Sequence, residues 1–168
     1  MKILKAENFY SNLNNTHLLL DTSVFIDAFL HPAEFGRLFN ELKEQSVTLV
    51  TIDPVKIEFL KGIQDTKKFE EKKAFIDQII DICLPISSEV IKNLYSLVKD
   101  YQDSGKILSI TDLLIGATLK HYPGSLYLLT KNPRDFPTTI FKFTTHMTLL
   151  HQKALQSYGV YVFDKAKR

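Results

Sequence analysis

The feature that most constrains the fold of this chain is a set of short apolar runs separated by longer segments of helical period. Three such runs lie at 17–20, 46–52 and 126–129, and each ends abruptly at polar residues. Runs that are apolar or β-branched almost throughout are typical of strands buried on both faces of a parallel sheet. The sequence therefore predicts an α/β domain with a mostly parallel sheet.

Proline, glycine and N-cap residues predict where several other helices and strands begin and end. Pro85 makes 82–86 a short edge strand, and Gly105 ends the helix that follows it. Asp53 is the expected N-cap of a helix that starts at Pro54. Beyond Pro137, the pattern predicts strands at 140–144 and 160–163, with a helix between them at about 147–158.

Length and charge exclude several classes of protein. With 168 residues, one domain spanning 1–168 is expected. The 21 basic and 19 acidic residues give a net charge of +2, too balanced for binding nucleic acid by bulk charge. A single cysteine, Cys83, excludes zinc fingers and is expected to be a small buried residue. Neither a signal peptide nor a membrane span is evident, so the cytoplasm is the expected compartment.

Four acidic residues follow the predicted strands or open the helices beyond them: Asp21, Glu58, Asp112 and Asp135. In an open α/β sheet such positions converge on one crevice, where ligands bind. Four carboxylates in one crevice raise each other's pKa unless a cation neutralises them. Oxygen ligands without cysteine or a suitably placed histidine favour Mg²⁺ or Mn²⁺ over zinc. A site of this kind suits metal-assisted hydrolysis of a phosphodiester.

Around these acids the sequence resembles a known family. The segments are L-L-L-D-T-S-V-F-I-D at 18–27, E-F-L-K-G at 58–62, S-I-T-D-L-L-I-G-A at 109–117 and L-L-T-K-N-P-R-D-F at 128–136. They resemble the four motifs of PIN-domain ribonucleases and, in order and spacing, the VapC-type toxins of bacterial toxin–antitoxin pairs. Each motif alone is weak, but four in order make a strong signal.

The resemblance implies a three-layer α/β/α sandwich with a mostly parallel sheet and a Mg²⁺- or Mn²⁺-dependent endoribonuclease. Asp21, Glu58 and Asp112 match the residues that bind metal in that family. The fourth ligand is Asp135, or else Asn132 takes over part of its role.

The resemblance also has implications beyond the acids. Ser23 and Thr130 match polar positions that support the metal shell. A homodimer is implied, and so is a cognate antitoxin whose segment blocks the cleft. The motif-bearing core covers about 17–137, so the extension at 1–16 and the segment at 138–168 fall outside the motifs.

Each acid also has a purely structural interpretation. Asp21 could cap the helix that follows it, and Glu58 could pair with Lys61 on the helix surface. The Asp112 carboxylate could interact favourably with the helix dipole from the first turn. This function is compatible with metal binding. Asn132 and the proline after it would cap a helix and place Asp135 in a capping box.

Other charged residues lie near the acids in sequence. Asp27 follows Asp21 by six residues and is interpreted as structural or as support for the metal ligands. Lys61, Lys131 and Arg134 are candidates to contact RNA phosphates, which position a substrate without specifying its sequence; exposure to solvent is the simpler interpretation. The alternative function is a PIN-like domain of weak or no activity that binds RNA or protein.

Overall fold

The structure, a computed structural model, describes residues 2–102, 108–151, 154–164 and 166. The strands are β1 (Lys2–Lys5), β2 (His17–Leu20), β3 (Thr48–Ile52), β4 (Ile82–Leu84), β5 (Leu126–Thr130), β6 (Phe141–His151) and β7 (Ala154–Phe163). The helices are α1 (Phe9–Leu13), α2 (Thr22–Leu30), α3 (Pro32–Glu44), α4 (Asp53–Leu60), α5 (Thr66–Ile79), α6 (Ser88–Gln102) and α7 (Ile110–His121), followed by a 3-10 helix at Pro133–Asp135.

All the strands belong to one seven-stranded sheet with the order β1-β6-β7-β5-β2-β3-β4. Strands β5, β2, β3 and β4 are parallel to their neighbours, whereas β7, β6 and β1 join antiparallel. The sheet therefore combines a parallel half, built from βα units, with an antiparallel half from the two ends of the chain. The predicted α/β class with its parallel strands is confirmed.

Both faces of the parallel half are covered. Leu18, Leu19 and Leu20 are all fully buried, although successive strand residues point to opposite faces. The same holds for Leu128 and Leu129 in β5. Helices must therefore pack on both faces, which is the predicted sandwich. No helix in the described part of the chain is long and apolar enough to cross a membrane.

The helix predicted at about 147–158 is wrong, because 147–151 and 154–158 belong to β6 and β7, which pair antiparallel as the two strands of a hairpin. Met147 and Leu149 are buried while His146 and Leu150 are exposed, which is the period of a strand. Apolar residues at 147, 150, 155 and 158 also fit a helical period, so the pattern alone was ambiguous. The pairing of β7 with β5 favours the strand over the helix.

Three smaller predictions are corrected. Asp53 lies inside the first turn of α4, and its carboxylate accepts a hydrogen bond from the Cys83 thiol at 3.3 Å instead of capping the helix. Cys83 is exposed, because its strand is at the sheet edge. The Asn132 side chain makes no capping hydrogen bond, because its backbone at φ −106° and ψ 72° does not have the extended conformation typical of an N-cap. Gly105, the predicted helix end, lies outside the described residues.

The N-terminal extension is tied to the domain by a small polar cluster. The Lys5 ammonium and the Tyr10 hydroxyl both donate to the Glu41 carboxylate on α3, and Lys5 also donates to Tyr10 at 2.6 Å. The bonds from Lys5 and then Tyr10 hold the pKa of Glu41 below its ordinary value. The cluster therefore stabilises the attachment of β1 and α1 while Glu41 is ionised.

Substituting Glu41→Gln is expected to lower the free energy of unfolding by about 0.5–1 kcal/mol at neutral pH. A carboxyl whose pKa is lowered by folding stabilises above its unfolded pKa and loses that stabilisation as the pH falls through its folded pKa. The difference between wild type and variant should therefore begin to shrink as the pH falls below the ordinary glutamate pKa of about 4.3 and vanish once the pH is below the lowered pKa of folded Glu41. Urea unfolding at several pH values measures it, with Glu44→Gln on the same helix as the control. Equal stability of Glu41→Gln and wild type at pH 7 would contradict the prediction.

Candidate functional site

The four predicted acids lie at one edge of the sheet. Asp21 directly follows β2, Glu58 is in the helix after β3, and Asp135 is in the 3-10 helix after β5. These three strands are parallel, so their carboxyl ends meet at the same edge. Asp112 is in the first turn of α7, the helix that leads into β5 from that edge.

The pKa of Asp112 is affected by the charge of each of the other three acids. Partial burial is the largest cause that raises the pKa of Asp112, and the hydrogen bond from Ser109 opposes it. The negative charges of Asp135, Asp21 and Glu58 raise that pKa further. The edge therefore carries a concentrated negative potential, which favours a proton or a cation.

Asp21 is the most firmly held of the acids. It is 4% exposed, and its Oδ1 accepts the backbone N–H of Thr22 at 2.7 Å, so it does cap α2. Its Oδ2 accepts two hydroxyl donors, Ser23 and Thr130, both at 2.7 Å. Ser23 and Thr130 are thus the direct neighbours of Asp21, at the positions where the motifs place supporting residues.

Glu58 and Asp112 each have one hydroxyl partner. The Thr22 hydroxyl donates to Glu58 Oε2 at 2.8 Å, so Glu58 turns toward α2 and not toward Lys61. The Ser109 hydroxyl donates to Asp112 Oδ2 at 2.6 Å and accepts the Asp112 N–H at 3.1 Å, so Ser109 caps α7. Thr22 was missed in the sequence, where the adjacent Ser23 carried the motif match.

Tyr101 is a second residue that the sequence analysis did not single out. Its hydroxyl donates to the backbone carbonyl of Asp135 at 2.6 Å and thereby ties α6 to the 3-10 helix. Burial raises the pKa of Tyr101, and the charges of Asp112 and Asp135 raise it further, so the phenol stays protonated. In sequence, Tyr101 reads only as one of the apolar positions on a helical stripe.

The predicted basic residues differ in their surroundings. Lys61 is exposed at the end of α4, three residues after Glu58, and Arg134 is exposed beside Asp135. Lys131 is different, because its ammonium pairs with the buried Asp27 at 2.6 Å. Asn132 is exposed, and its backbone N–H donates to the Thr130 hydroxyl at 3.0 Å.

The chemistry of the donor set fits a hard divalent cation. Four carboxylates lie at this edge, and each offers the oxygen ligands that Mg²⁺ and Mn²⁺ prefer. Burial and then the charges of the other three acids raise the pKa of Asp112. In the part of the chain that the structure describes, however, no three acidic, imidazole or thiol side chains converge closely enough to hold an ion as they stand.

Comparison with known proteins matches the chain to a family model and to solved structures. The family model described as "PIN domain" matches residues 18–139, which include all four motif segments. No curated protein matches the sequence significantly. Among solved structures, the chain is similar to one in the crystal structure of VapBC2 from Rickettsia felis bound to a DNA fragment from their promoter. The TM-score is 0.55 at 17% sequence identity, over 67% of this chain and 97% of that chain. At this identity the likeness establishes a shared fold.

Proposed function

The chain belongs to the PIN domain family, and from this premise we propose that it is a divalent-metal-dependent endoribonuclease, the toxin of a toxin–antitoxin pair. PIN domains are generally nucleases, which makes hydrolysis of a phosphodiester the expected reaction. The observation that carries the proposal is the placement of Asp21, Glu58, Asp112 and Asp135 at one edge of the sheet, where burial and then the charges of the other three acids raise the pKa of Asp112.

Asp21, Glu58, Asp112 and Asp135 are the residues that would hold Mg²⁺ or Mn²⁺. When bound, such an ion activates water as the nucleophile and offsets the charge that develops on the phosphate. The Ser23 and Thr130 hydroxyls orient the Asp21 carboxylate. This carboxylate therefore needs no reorganisation during the reaction. Glu58 and Asp112 are oriented by one hydroxyl each.

RNA is the proposed substrate, and its phosphates would meet basic residues at the rim of this edge. Lys61 and Arg134 are both exposed to solvent. Lys61 follows Glu58 by three residues, and Arg134 directly precedes Asp135. Contacts of this kind position a backbone without reading its bases. With a net charge of only +2, binding must depend on such local contacts.

A partner and a compartment complete the proposal. The structural neighbour is a chain of VapBC2 on a promoter DNA fragment, which supports a cognate antitoxin for this chain as well. We propose a homodimer as the assembly and the cytoplasm as the place of action, since the motifs resemble those of VapC-type toxins.

Calorimetric titration of Mn²⁺ into the full chain tests the site without knowledge of the RNA target. We expect one class of sites in the wild type and at least tenfold weaker binding in Asp112→Asn. Asparagine removes the charge but is compatible with a helix start, so the fold should persist. Asp65→Asn is the matched control, because Asp65 caps α5 through the Lys68 N–H and is not among the four acids.

One observation favours a second candidate function, an RNA- or protein-binding module without efficient chemistry. The carboxylates do not converge closely enough, among the described residues, to hold an ion as they stand. Under that alternative, the folded wild type shows no Mn²⁺ binding and Asp112→Asn behaves as wild type. Binding that Asp112→Asn loses and Asp65→Asn keeps would exclude it.

A further inference from the structure

A second acidic residue of α2, Asp27, is buried and carries a specific set of bonds. It is 6% exposed, and its Oδ2 accepts the Lys131 ammonium and the Tyr158 hydroxyl, each at 2.6 Å. Tyr158 is fully buried in β7, beyond the residues that the PIN model matches. A buried carboxylate is costly unless it is paired and hydrogen-bonded. Asp27 meets both conditions and thereby fixes Lys131.

Lys131 is the middle residue of the segment 130–132, which holds Asp21 in place. Its backbone N–H donates to the Ser23 hydroxyl at 3.2 Å, and the next N–H, of Asn132, donates to the Thr130 hydroxyl at 3.0 Å. A hydroxyl has a single hydrogen to donate. Because each hydroxyl accepts from an amide, its own hydrogen is directed to Asp21.

These bonds determine which oxygen of Asp21 remains able to bind. A carboxylate has about four acceptor positions, two on each oxygen. Oδ2 accepts both hydroxyls, and Oδ1 accepts the Thr22 N–H. The remaining position is on Oδ1, and its direction depends on where the segment 130–132 is held.

We infer that Asp27, with Lys131 and Tyr158, is a positioning residue that holds the segment 130–132 and through it orients Asp21 for the cation. The inference rests on the proposed function, since it concerns the same site. It also connects strand β7 to the site, because the Tyr158 hydroxyl on that strand donates to Asp27. Lys131 then acts through its pairing with Asp27 and not as a contact to RNA.

The test is Mn²⁺ calorimetry on the full chain, without RNA, for Asp27→Asn, Lys131→Met and the double variant. We expect each single variant to bind Mn²⁺ about tenfold more weakly. The double variant should be no weaker than either single one, because both remove the same pair. Tyr158→Phe, which deletes one hydroxyl, should weaken binding less. Unfolding curves set a temperature at which every variant is folded.

Lys120→Met is the control, because Lys120 is likewise a lysine paired with a carboxylate and is more deeply buried than Lys131. Its ammonium bonds to Asp100 at 3.1 Å and to Ser96 at 3.0 Å. If Lys120→Met binds Mn²⁺ as the wild type does while Asp27→Asn and Lys131→Met are weakened, the inference holds. Equal weakening of Lys120→Met would assign the effect to general destabilisation and overturn it.

Two further outcomes separate this inference from the proposed function. Wild-type affinity in Asp27→Asn overturns the positioning of Asp21 by Asp27 and leaves the metal-dependent nuclease standing. If the wild type itself binds no Mn²⁺, the proposed function fails and the inference fails with it. If only Lys131→Met weakened Mn²⁺ binding, the result would also contradict the inference, because Lys131 would then act independently of Asp27.

Discussion

Replacing Asp21 with asparagine is expected to reduce RNA cleavage by about a thousandfold while the protein stays folded. Metal-assisted charge stabilisation contributes several kcal/mol to such reactions, and each 1.4 kcal/mol is a factor of ten in rate. Asn can keep the bond from the Thr22 N–H through its amide oxygen and so cap α2. Its NH2 group cannot accept the Ser23 and Thr130 hydroxyls, so stability also falls, and cleavage is compared at a temperature where the variant is folded. Asp112→Asn should give a loss of similar size.

The assay is cleavage of labelled total cellular RNA in the presence of Mn²⁺, with products resolved on a gel. The control is Asp65→Asn, a cap substitution on α5 that should cleave at the wild-type rate. Chelation of the metal should stop the wild-type reaction. Cleavage by Asp21→Asn and Asp112→Asn at the wild-type rate would falsify the proposed catalytic site.

Replacing Phe141 with alanine is expected to lower the free energy of unfolding by about 3–5 kcal/mol. Phe141 begins β6 and is fully buried, with its ring 5.5 Å from that of Phe136 and 6.1 Å from that of Phe163. Its ring also lies where a Cβ on Gly116 of α7 would come within 3.2 Å. The substitution leaves a cavity where the hairpin, α7 and the loop after β5 meet, which is a large loss against typical stabilities.

The matched control is Phe143→Ala, two residues along the same strand. Phe143 is 45% exposed, so its substitution should cost much less than that of Phe141. Chemical denaturation followed by circular dichroism measures both, and a single cooperative transition is expected if 1–168 is one domain. Equal stabilities of Phe141→Ala and Phe143→Ala would mean that the hairpin does not pack on the domain as the structure shows.

Much of the parallel half could be predicted from the sequence because its signals are local. A run such as Leu18 to Leu20 is apolar at every position only when both faces of its strand are covered. The polar residue that ends such a strand must lie at the sheet edge, and parallel strands share that edge. The approximate position of Asp21, Glu58, Asp112 and Asp135 therefore follows from the sequence.

The antiparallel half could not be predicted in the same way. Residues 147–158 carry apolar positions that fit both a helix and a strand, and only pairing of β7 with β5 selects the strand. Such pairing joins residues more than thirty positions apart, for example Leu128 and Tyr161. Local patterns contain no information on which distant segment completes a strand, because the hydrogen bonds come from the tertiary structure.

The sequence by itself determined the α/β class, the family and the placement of the four acids at one edge of the sheet, because each depends on a strand end or a motif of a few adjacent residues. Only the tertiary structure decided how those acids are held. The Thr22 hydroxyl reaches Glu58, Tyr101 reaches the carbonyl of Asp135, and Asp27 is closed in by Lys131 and Tyr158. A buried charge or hydroxyl must find a partner wherever the folded chain brings one within hydrogen-bond distance, and sequence separation places no limit on where that partner lies.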